Sequence, residues 1–553
     1  MSSKNDFPEI DLVKVSLSTP FDDQKPGTSG LRKSSKVFNT QNYLESFIEA
    51  IMRTLPGVRE GTLIVGGDGR YGNKRAIDII IKIGATHGLK RIITTVNGIL
   101  STPAASHLIR SNRAIGGIIL SASHNPGGID GDFGVKVNCA NGGPAPESLT
   151  DAIYYCTKSL TEFSIVKSAS IPIDLKGTYK IGNMSVNVID GVQDYIKLME
   201  SIFDFGLISE FIKKDYRIAF DAMNAVTGPY AKSIFEKILC SPKGTVRNGT
   251  PLEDFGGCHP DPNLTYANEL SELLINGKDY SFGAACDGDG DRNMILGKGC
   301  FVNPSDSLAI LVANSHLVPA YRGGLKGVAR SMPTSSAVDV VAKDLHLKCY
   351  ETPTGWKYFG NLLDASMITI CGEESFGTGS DHVREKDGIW AVLFWLQILA
   401  STKCSVKEVM MQHWLTYGRN YYTRHDYEAI STDSANQLYE DVQNQLPSLV
   451  GTSFGGSLVQ EADDFSYKDP VDHTETTAQG LRLLMENKSR LILRLSGTGT
   501  KGSTLRIYAE KYEASNGNLN QNPQIVLSDL INQIKVLAKI PDRTGMDKPT
   551  VIT

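Results

Sequence analysis

Long apolar runs are missing from this chain of 553 residues. The longest, Ile389 to Ala400, is broken at Gln397 and is too short to cross a bilayer, and Met1 to Leu12 carries charges where a signal segment would be apolar. Cysteine is sparse and poorly spaced for structural work. There are 9, an odd number, with no Cys-x-x-Cys pair, which argues against a disulfide framework or structural zinc and suits a reducing cytoplasm. Charge of one sign is also lacking: 56 Lys and Arg against 61 Asp and Glu leave −5, too little for disorder and the wrong sign for a nucleic-acid surface. The loop around Ser123 is not a Gly-x-Ser-x-Gly elbow, and neither a Walker loop nor a repeat of solenoid length occurs, so hydrolase, P-loop and propeller readings lose their main support.

Glycine, by contrast, is plentiful at 53 residues, and much of it gathers in short polar clusters. Between the clusters, strand patterns (Thr62 to Gly66, Ala114 to Ser121) alternate with helical ones (Tyr43 to Thr54, Lys74 to Gly84), the mark of α/β layers. A second round begins near Arg217, with a helix over Gly228 to Leu239. A third begins near Gly327, with helices at Ser335 to Leu345 and Gly388 to Ala400. The tail from about Asp426 has a different order: helix over Thr432 to Gln445, strands at Ser489 to Leu495 and Ser503 to Glu510, helix over Val526 to Ala538. The expectation is an α/β protein of four domains, three similar mixed α/β domains and a smaller α+β C-terminal domain around a central cleft, bounded at 1–190, 191–303, 304–420 and 421–553.

Five clusters carry chemistry. Lys25-Pro-Gly-Thr28-Ser-Gly-Leu-Arg32-Lys33 forms a turn whose amides, with Thr28 and Arg32, suit an anion; alone it fits a solvated basic turn as well. Ser121-Ala-Ser123-His124-Asn-Pro-Gly-Gly128 is a tight loop at a strand end, where Ser123 becomes a nucleophile only if its proton is removed or it carries a phosphate. Asp287-Gly-Asp289-Gly-Asp291-Arg292 spaces three carboxylates to fold around one hard divalent cation, magnesium first. An EF-hand would need Gly and Glu where Arg292 and Lys298 stand. Thr352-Pro-Thr354-Gly-Trp356-Lys357, with Gly372-Glu373-Glu-Ser375-Phe-Gly377, offers a carboxylate and a hydroxyl suited to vicinal sugar hydroxyls, though an acidic turn reads the same; Lys386 follows as a candidate acid or base. Arg494-Leu-Ser496-Gly-Thr498-Gly-Thr-Lys-Gly502, with Arg506 beyond it, matches a dinucleotide fingerprint only formally, because a strand follows instead of a helix; a phosphomonoester cradle fits better.

Together the clusters point to phosphoryl transfer to a sugar. In order and residue type they resemble the α-phosphohexomutases, closely the eukaryotic type of phosphoglucomutase, over nearly the whole chain and down to the terminal Pro549-Thr-Val-Ile-Thr553. The resemblance implies that Ser123 is the phosphorylated serine and that Mg²⁺ sits among its phosphate, Asp287, Asp289 and Asp291. It further implies that Arg32, His124, Arg292 and Lys386 surround the reacting oxygens, with Lys386 the leading acid or base. Glu373 and Ser375 would hold sugar hydroxyls, Thr354 and Trp356 would line the sugar loop, and Arg494, Ser496, Thr498 and Arg506 would bind the distal phosphate. The implied reaction passes through glucose 1,6-bisphosphate, which must turn around; that suggests a hinge near Arg419 to Tyr427. Ser121 stands where the family usually has Thr. The rivals are a haloacid-dehalogenase-type phosphatase using Asp287 or Asp289, and a non-catalytic or dual-role relative of the parafusin or aciculin kind. Neither a membrane span nor a nucleic-acid partner is expected, and the sequence leaves monomer or dimer open.

Overall fold

The computed structural model describes residues 11–27, 29–214, 216–497 and 502–553. Two compact units emerge. One comprises Met1–Pro262, Gly283–Asn293 and Gly379–Leu393; the other comprises Asn263–Phe282, Met294–Thr378 and Phe394–Thr553.

The first unit is built on a seven-stranded sheet in the order Leu31–Ser34, Asp132–Cys139, Gly116–Leu120, Thr62–Gly67, Arg91–Thr95, Met184–Ile189, Gly177–Ile181. Its four inner strands, from Gly116–Leu120 to Met184–Ile189, run parallel and the flanking pairs are antiparallel. Parallel strands need cover on both faces, which is why Gly116–Leu120 and most of Thr62–Gly67 are apolar or glycine and buried. Helices Tyr43–Thr54 and Asn73–Thr86 supply part of that cover and share one core with Leu63, Val65, Ile80, Ile118 and Phe133. Gly67 lies beside Leu120 in the ladder, so the residues that follow them, Asp68 and Ser121, leave the sheet at the same carboxyl edge, where ligand sites of α/β sheets gather. Farther along, Ile218–Asp221 pairs in parallel with Val246–Arg247. The expected single helix over 228–239 is instead an α-helix at Thr227–Ala231 running into a π-helical stretch at Lys232–Ile238. Leu239 N–H reaches back to Ile234 O, and Ile234, Phe235 and Leu239 are all buried.

In the second unit, Val328–Ser331 lies between Cys349–Thr352 and Ile370–Glu373, all parallel. A second seven-stranded sheet runs Ser453–Phe454, Ser457–Asp464, Leu481–Met485, Arg490–Gly497, Ser503–Glu513, Arg419–Ile430, Val551–Ile552. Helices Thr432–Gln443 and Ser528–Leu537 pack on it through Leu438, Leu505, Ile507 and Ile534. The hinge expected at Arg419 to Tyr427 is not a linker: those residues belong to the strand Arg419–Ile430, nearly all buried, bonded to Ser503–Glu513 on one side and to Val551–Ile552 on the other. Bending there would break ladder bonds.

No single helix among the described residues is long and apolar enough to cross a membrane. The apolar run at 389–400 lies in the buried helix Gly388–Thr402.

Candidate active site

Ser123 sits just past the carboxyl end of Gly116–Leu120 with φ +53°, a left-handed turn for a residue with a side chain. Its neighbours hold that conformation. Ser123 N–H donates to Ser121 Oγ at 2.7 Å, and Ser121 Oγ–H donates to Asp68 Oδ2 at 2.6 Å. Arg70, fully buried, pairs with Asp68 at 2.9 Å and donates to Ser123 O and Asp132 O at 2.8 Å each. Burial pushes the Asp68 carboxyl up, and the Arg70 guanidinium opposes it. A threonine at 121 would keep the oxygen this network needs, so the departure there leaves the arrangement intact.

The hydroxyl itself faces acid. Ser123 Oγ donates to Asp287 Oδ2 at 3.0 Å and lies 3.4 Å from His124 Nδ1. The strand Phe282–Cys286 delivers Asp287, and the turn that follows brings oxygens of Asp287, Asp289 and Asp291 within 4.8 Å of one another, all buried. Gly288 is what lets the two loops touch: a Cβ there would lie 2.4 Å from Ser123 O. Asp287 Oδ1 accepts from the amides of Asp291 and Arg292 at 3.0 Å each, and Asp289 Oδ2 accepts from Thr102 Oγ1 at 2.7 Å. Asp289 Oδ1 and Asp291 Oδ1 are buried without a hydrogen-bond partner. Burial and the charges of its neighbours hold Asp287 well above the usual carboxylate range, and Asp291 is raised in the same way. Burial also acts to raise Asp289, but Lys136, the Thr102 hydroxyl and Lys386 prevail and lower it. Two orphaned oxygens within a crowded trio of hard donors are the fit test for a divalent cation, and these residues pass it.

Cations ring the trio. Lys386 Nζ lies 3.3 Å from Asp291 Oδ2, and Arg292 lies 3.3 Å from Asp261 and 3.9 Å from Asp287. Arg32, on Leu31–Ser34, is held below its usual range by burial and by Arg292 and Arg70, against the pull of Asp289 and Asp291; its Nε has no partner. The first unit thus brings together Ser123, His124, Asp287, Asp289, Asp291, Arg292, Lys386 and Arg32.

The second unit gathers the rest. Gly355, at φ +124°, donates its N–H to Glu373 Oε1 at 2.9 Å and so ties the Thr354–Trp356 turn to the end of strand Ile370–Glu373. Ser375 follows, nearly buried; Thr354 Oγ1 and Trp356 Nε1 are buried without partners. Arg494 and Arg506 face each other across paired strands, a like-charge register that costs stability unless an anion serves both. Arg494 Nη1 and Ser496 Oγ are buried and unpartnered. Burial alone would lower Arg494, yet Tyr508, Glu374 and Glu373 raise it, so the sugar-loop carboxylates act electrostatically on this guanidinium. Thr28 and Thr498 lie outside the described residues.

Sequence reasoning missed Asp68, Arg70 and Thr102, which brace the serine and aspartate loops, and also Arg424 and Asp426. Asp426 lies 3.0 Å from Arg424 and 3.7 Å from Arg506. The only available signal for the last two was period-2 spacing on one strand, which puts both side chains on one face.

Domain models of the phosphoglucomutase/phosphomannomutase family match in order: α/β/α domain I over residues 23–163, domain II over 193–299, domain III over 304–417, and the phosphoglucomutase-1 C-terminal domain over 419–550. The chain is similar to the phosphoglucomutase of Rhizobium radiobacter, 54% identical over 542 residues (98% of this chain, 100% of that one), and to human phosphoglucomutase-1, 50% identical over 563 residues (98% and 100%). Among solved structures, the open form of the exocytosis-sensitive phosphoprotein pp63/parafusin (phosphoglucomutase) from Paramecium superposes with a TM-score of 0.90 at 45% identity, covering 98% of this chain and 99% of that one. With four successive domain models and full-length relatives at half identity, the chain belongs to the phosphoglucomutase/phosphomannomutase family.

Proposed function

We infer that this enzyme is a phosphoglucomutase that interconverts α-D-glucose 1-phosphate and glucose 6-phosphate through a phosphorylated Ser123. The observation that carries the assignment of Ser123 is its hydroxyl, 3.0 Å from Asp287 within the carboxylate trio and on a left-handed turn braced by Asp68 and Arg70. A role without catalysis, of the secretion-associated kind, is not favoured, since the curated relatives at 50–54% identity are phosphoglucomutases.

In this reading Asp287, Asp289 and Asp291, with an oxygen at Ser123, hold Mg²⁺. The ion supplies charge neutralisation at the oxygens of the transferring phosphoryl group. Arg32 and Arg292 supply fixed cationic donors beside the same oxygens, with His124 adjoining the hydroxyl. Phosphoserine gives its phosphoryl group to the 6-hydroxyl of glucose 1-phosphate: the new P–O bond forms as the bond to Ser123 Oγ breaks, and Lys386 relays the hydroxyl proton, so that the freed Ser123 oxygen ends protonated. The product, glucose 1,6-bisphosphate, then presents its 1-phosphate to Ser123 and leaves as glucose 6-phosphate, with Lys386 returning the proton. Glu373 accepts hydrogen bonds from sugar hydroxyls, Ser375 donates or accepts, and Thr354 and Trp356 line the sugar. Arg494, Ser496, Thr498 and Arg506 bind the phosphate that is not reacting, with Thr28 serving the anion at the serine loop. The domain boundaries at 190, 303 and 420 divide these tasks, and nine free thiols suit the cytoplasm. The test is turnover of glucose 1-phosphate with Mg²⁺ by wild type and Ser123→Ala. Loss of phosphate incorporation and turnover in the variant is expected; unchanged turnover would overturn the nucleophile.

A further inference from the structure

Lys386 lies between two acidic residues, and each is clamped by buried partners from other parts of the first unit. Before it, Glu385 accepts from Lys136 Nζ at 2.5 Å and Asn138 Nδ2 at 2.7 Å. After it, Asp387, fully buried, accepts from Tyr195 Oη at 2.6 Å, from the Trp390 amide at 3.0 Å, and from His382 Nε2 at 3.0 Å. The other nitrogen of His382, Nδ1, lies 2.7 Å from Ser380 Oγ, and the ring stacks on Trp390 with centroids 5.4 Å apart. The Asp387 carboxylate accepts from Nε2, and the contacts at both ring nitrogens fix the orientation of the ring. This arrangement has the composition of a Ser–His–Asp triad. Yet Ser380 and Asp387 have no exposed surface, so no substrate reaches the serine and a nucleophilic reading fails.

What the relay does instead follows from its place in the chain. Ser380, His382 and Asp387 bracket the turn that presents Lys386, and the next residue, Gly388, donates its N–H to Gly290 O in the aspartate turn at 3.1 Å. The turn is therefore pinned on both sides of Lys386 while that side chain reaches Asp291. We propose that His382, acting with Asp387 and Tyr195, is a positioning residue that sets the place of the Lys386 side chain beside the reacting centre. Nothing in the relay touches the sugar or its phosphates; it works by holding the backbone from which Lys386 projects. The proposal rests on the reading of Lys386 as acid and base given above.

The test is a double-mutant cycle. His382→Phe keeps the stack on Trp390 and removes both hydrogen bonds, Tyr195→Phe removes one donor to Asp387 at constant volume, and Lys386→Ala removes the group being positioned. Phosphoryl transfer from phosphorylated Ser123 is followed in single turnover, alongside steady-state kcat and KM for glucose 1-phosphate. His382→Phe is expected to lower transfer by about 10- to 100-fold with KM changed less than about twofold, and to have no further effect in the Lys386→Ala background. His382→Gln, which can donate and accept at once, should recover most of the loss. Tyr195→Phe should show a smaller loss that likewise vanishes with Lys386 absent, and it serves if His382→Phe fails to fold. Equal losses in both backgrounds, or a silent His382→Phe beside a defective Lys386→Ala, would overturn the relay alone. Full turnover in Lys386→Ala would overturn the assignment of Lys386 itself, and the relay with it.

Discussion

Arg70 offers the sharpest test of how the serine loop is held. Its guanidinium and the Asp68 carboxylate are both fully buried, and the same side chain donates to two backbone carbonyls, one of them that of Ser123. Replacing it with methionine fills similar space but leaves the Asp68 carboxyl buried without its cation, so that it must either stay charged at a cost or take up a proton. Removing one partner of a buried pair costs about 3–5 kcal/mol, most of it from the charge left behind. Converting Asp68 to asparagine as well removes that charge while keeping an acceptor for the Ser121 hydroxyl, so Asp68→Asn/Arg70→Met should lose only about 1–2 kcal/mol, the worth of the hydrogen bonds that stay broken. Because the chain has two compact units, a single global midpoint would blur the result; hydrogen exchange of peptides covering Thr62–Gly67 and Gly116–Leu120 reads the local free energy. Both variants should lose turnover, since Ser123 O is unanchored in each. A loss under about 1 kcal/mol for Arg70→Met, or a double variant as unstable as the single, would refute the reasoning.

Adding Mg²⁺ to chelator-treated protein should raise its thermal midpoint, and affinity should increase with pH: burial and mutual repulsion hold Asp287 and Asp291 above the ordinary range, so the ion must displace protons whose occupancy falls as pH rises. Calorimetry in buffers of different ionisation enthalpy checks the proton release; a pH-independent affinity would contradict it. Gly288→Ala should weaken the same binding while leaving Asp287, Asp289 and Asp291 chemically intact, because its methyl would push against Ser123 O. Glu373→Gln keeps an oxygen for the Gly355 amide, so kcat/KM for glucose 1-phosphate should fall about 100-fold with the melting temperature nearly unchanged; equal losses in both would assign the residue to structure. His413 is buried and its pKa is lowered by burial to about 4, so below the unfolded value near 6.5 the unfolded chain binds the proton and the folded one resists it. Stability should therefore drop by about 3 kcal/mol as pH falls from 6.5 to 4, and in His413→Phe that segment of the pH profile should flatten.

The order of elements was legible because it depends on local patterning. Tyr43–Thr54 lies where side-chain periodicity predicts it, and most other expected elements differ by one to three residues at their ends. The aspartate turn was equally legible, since three carboxylates alternating with glycine have few stable arrangements without a cation. The region 228–239 was read less well. Its pattern is helical throughout, and nothing local in it marks the switch to a π-helical stretch at Lys232–Ile238. That Arg419 to Tyr427 form a strand was not legible either, because their partners on Ser503–Glu513 and Val551–Ile552 lie far off in the chain.

Chain order alone determined the family and the layered α/β plan, because each of those signals sits within short stretches of consecutive residues. Tertiary structure decided how the groups are made usable. Ser123 and Asp287 are 164 positions apart and meet at 3.0 Å; Arg70 supports Ser123 from 53 positions away; Lys136 and Glu385 pair across 249. A buried charge is tolerable only beside its counter-charge, and that neighbour is selected in space by the packing of strands and loops, over distances along the chain that no local pattern encodes.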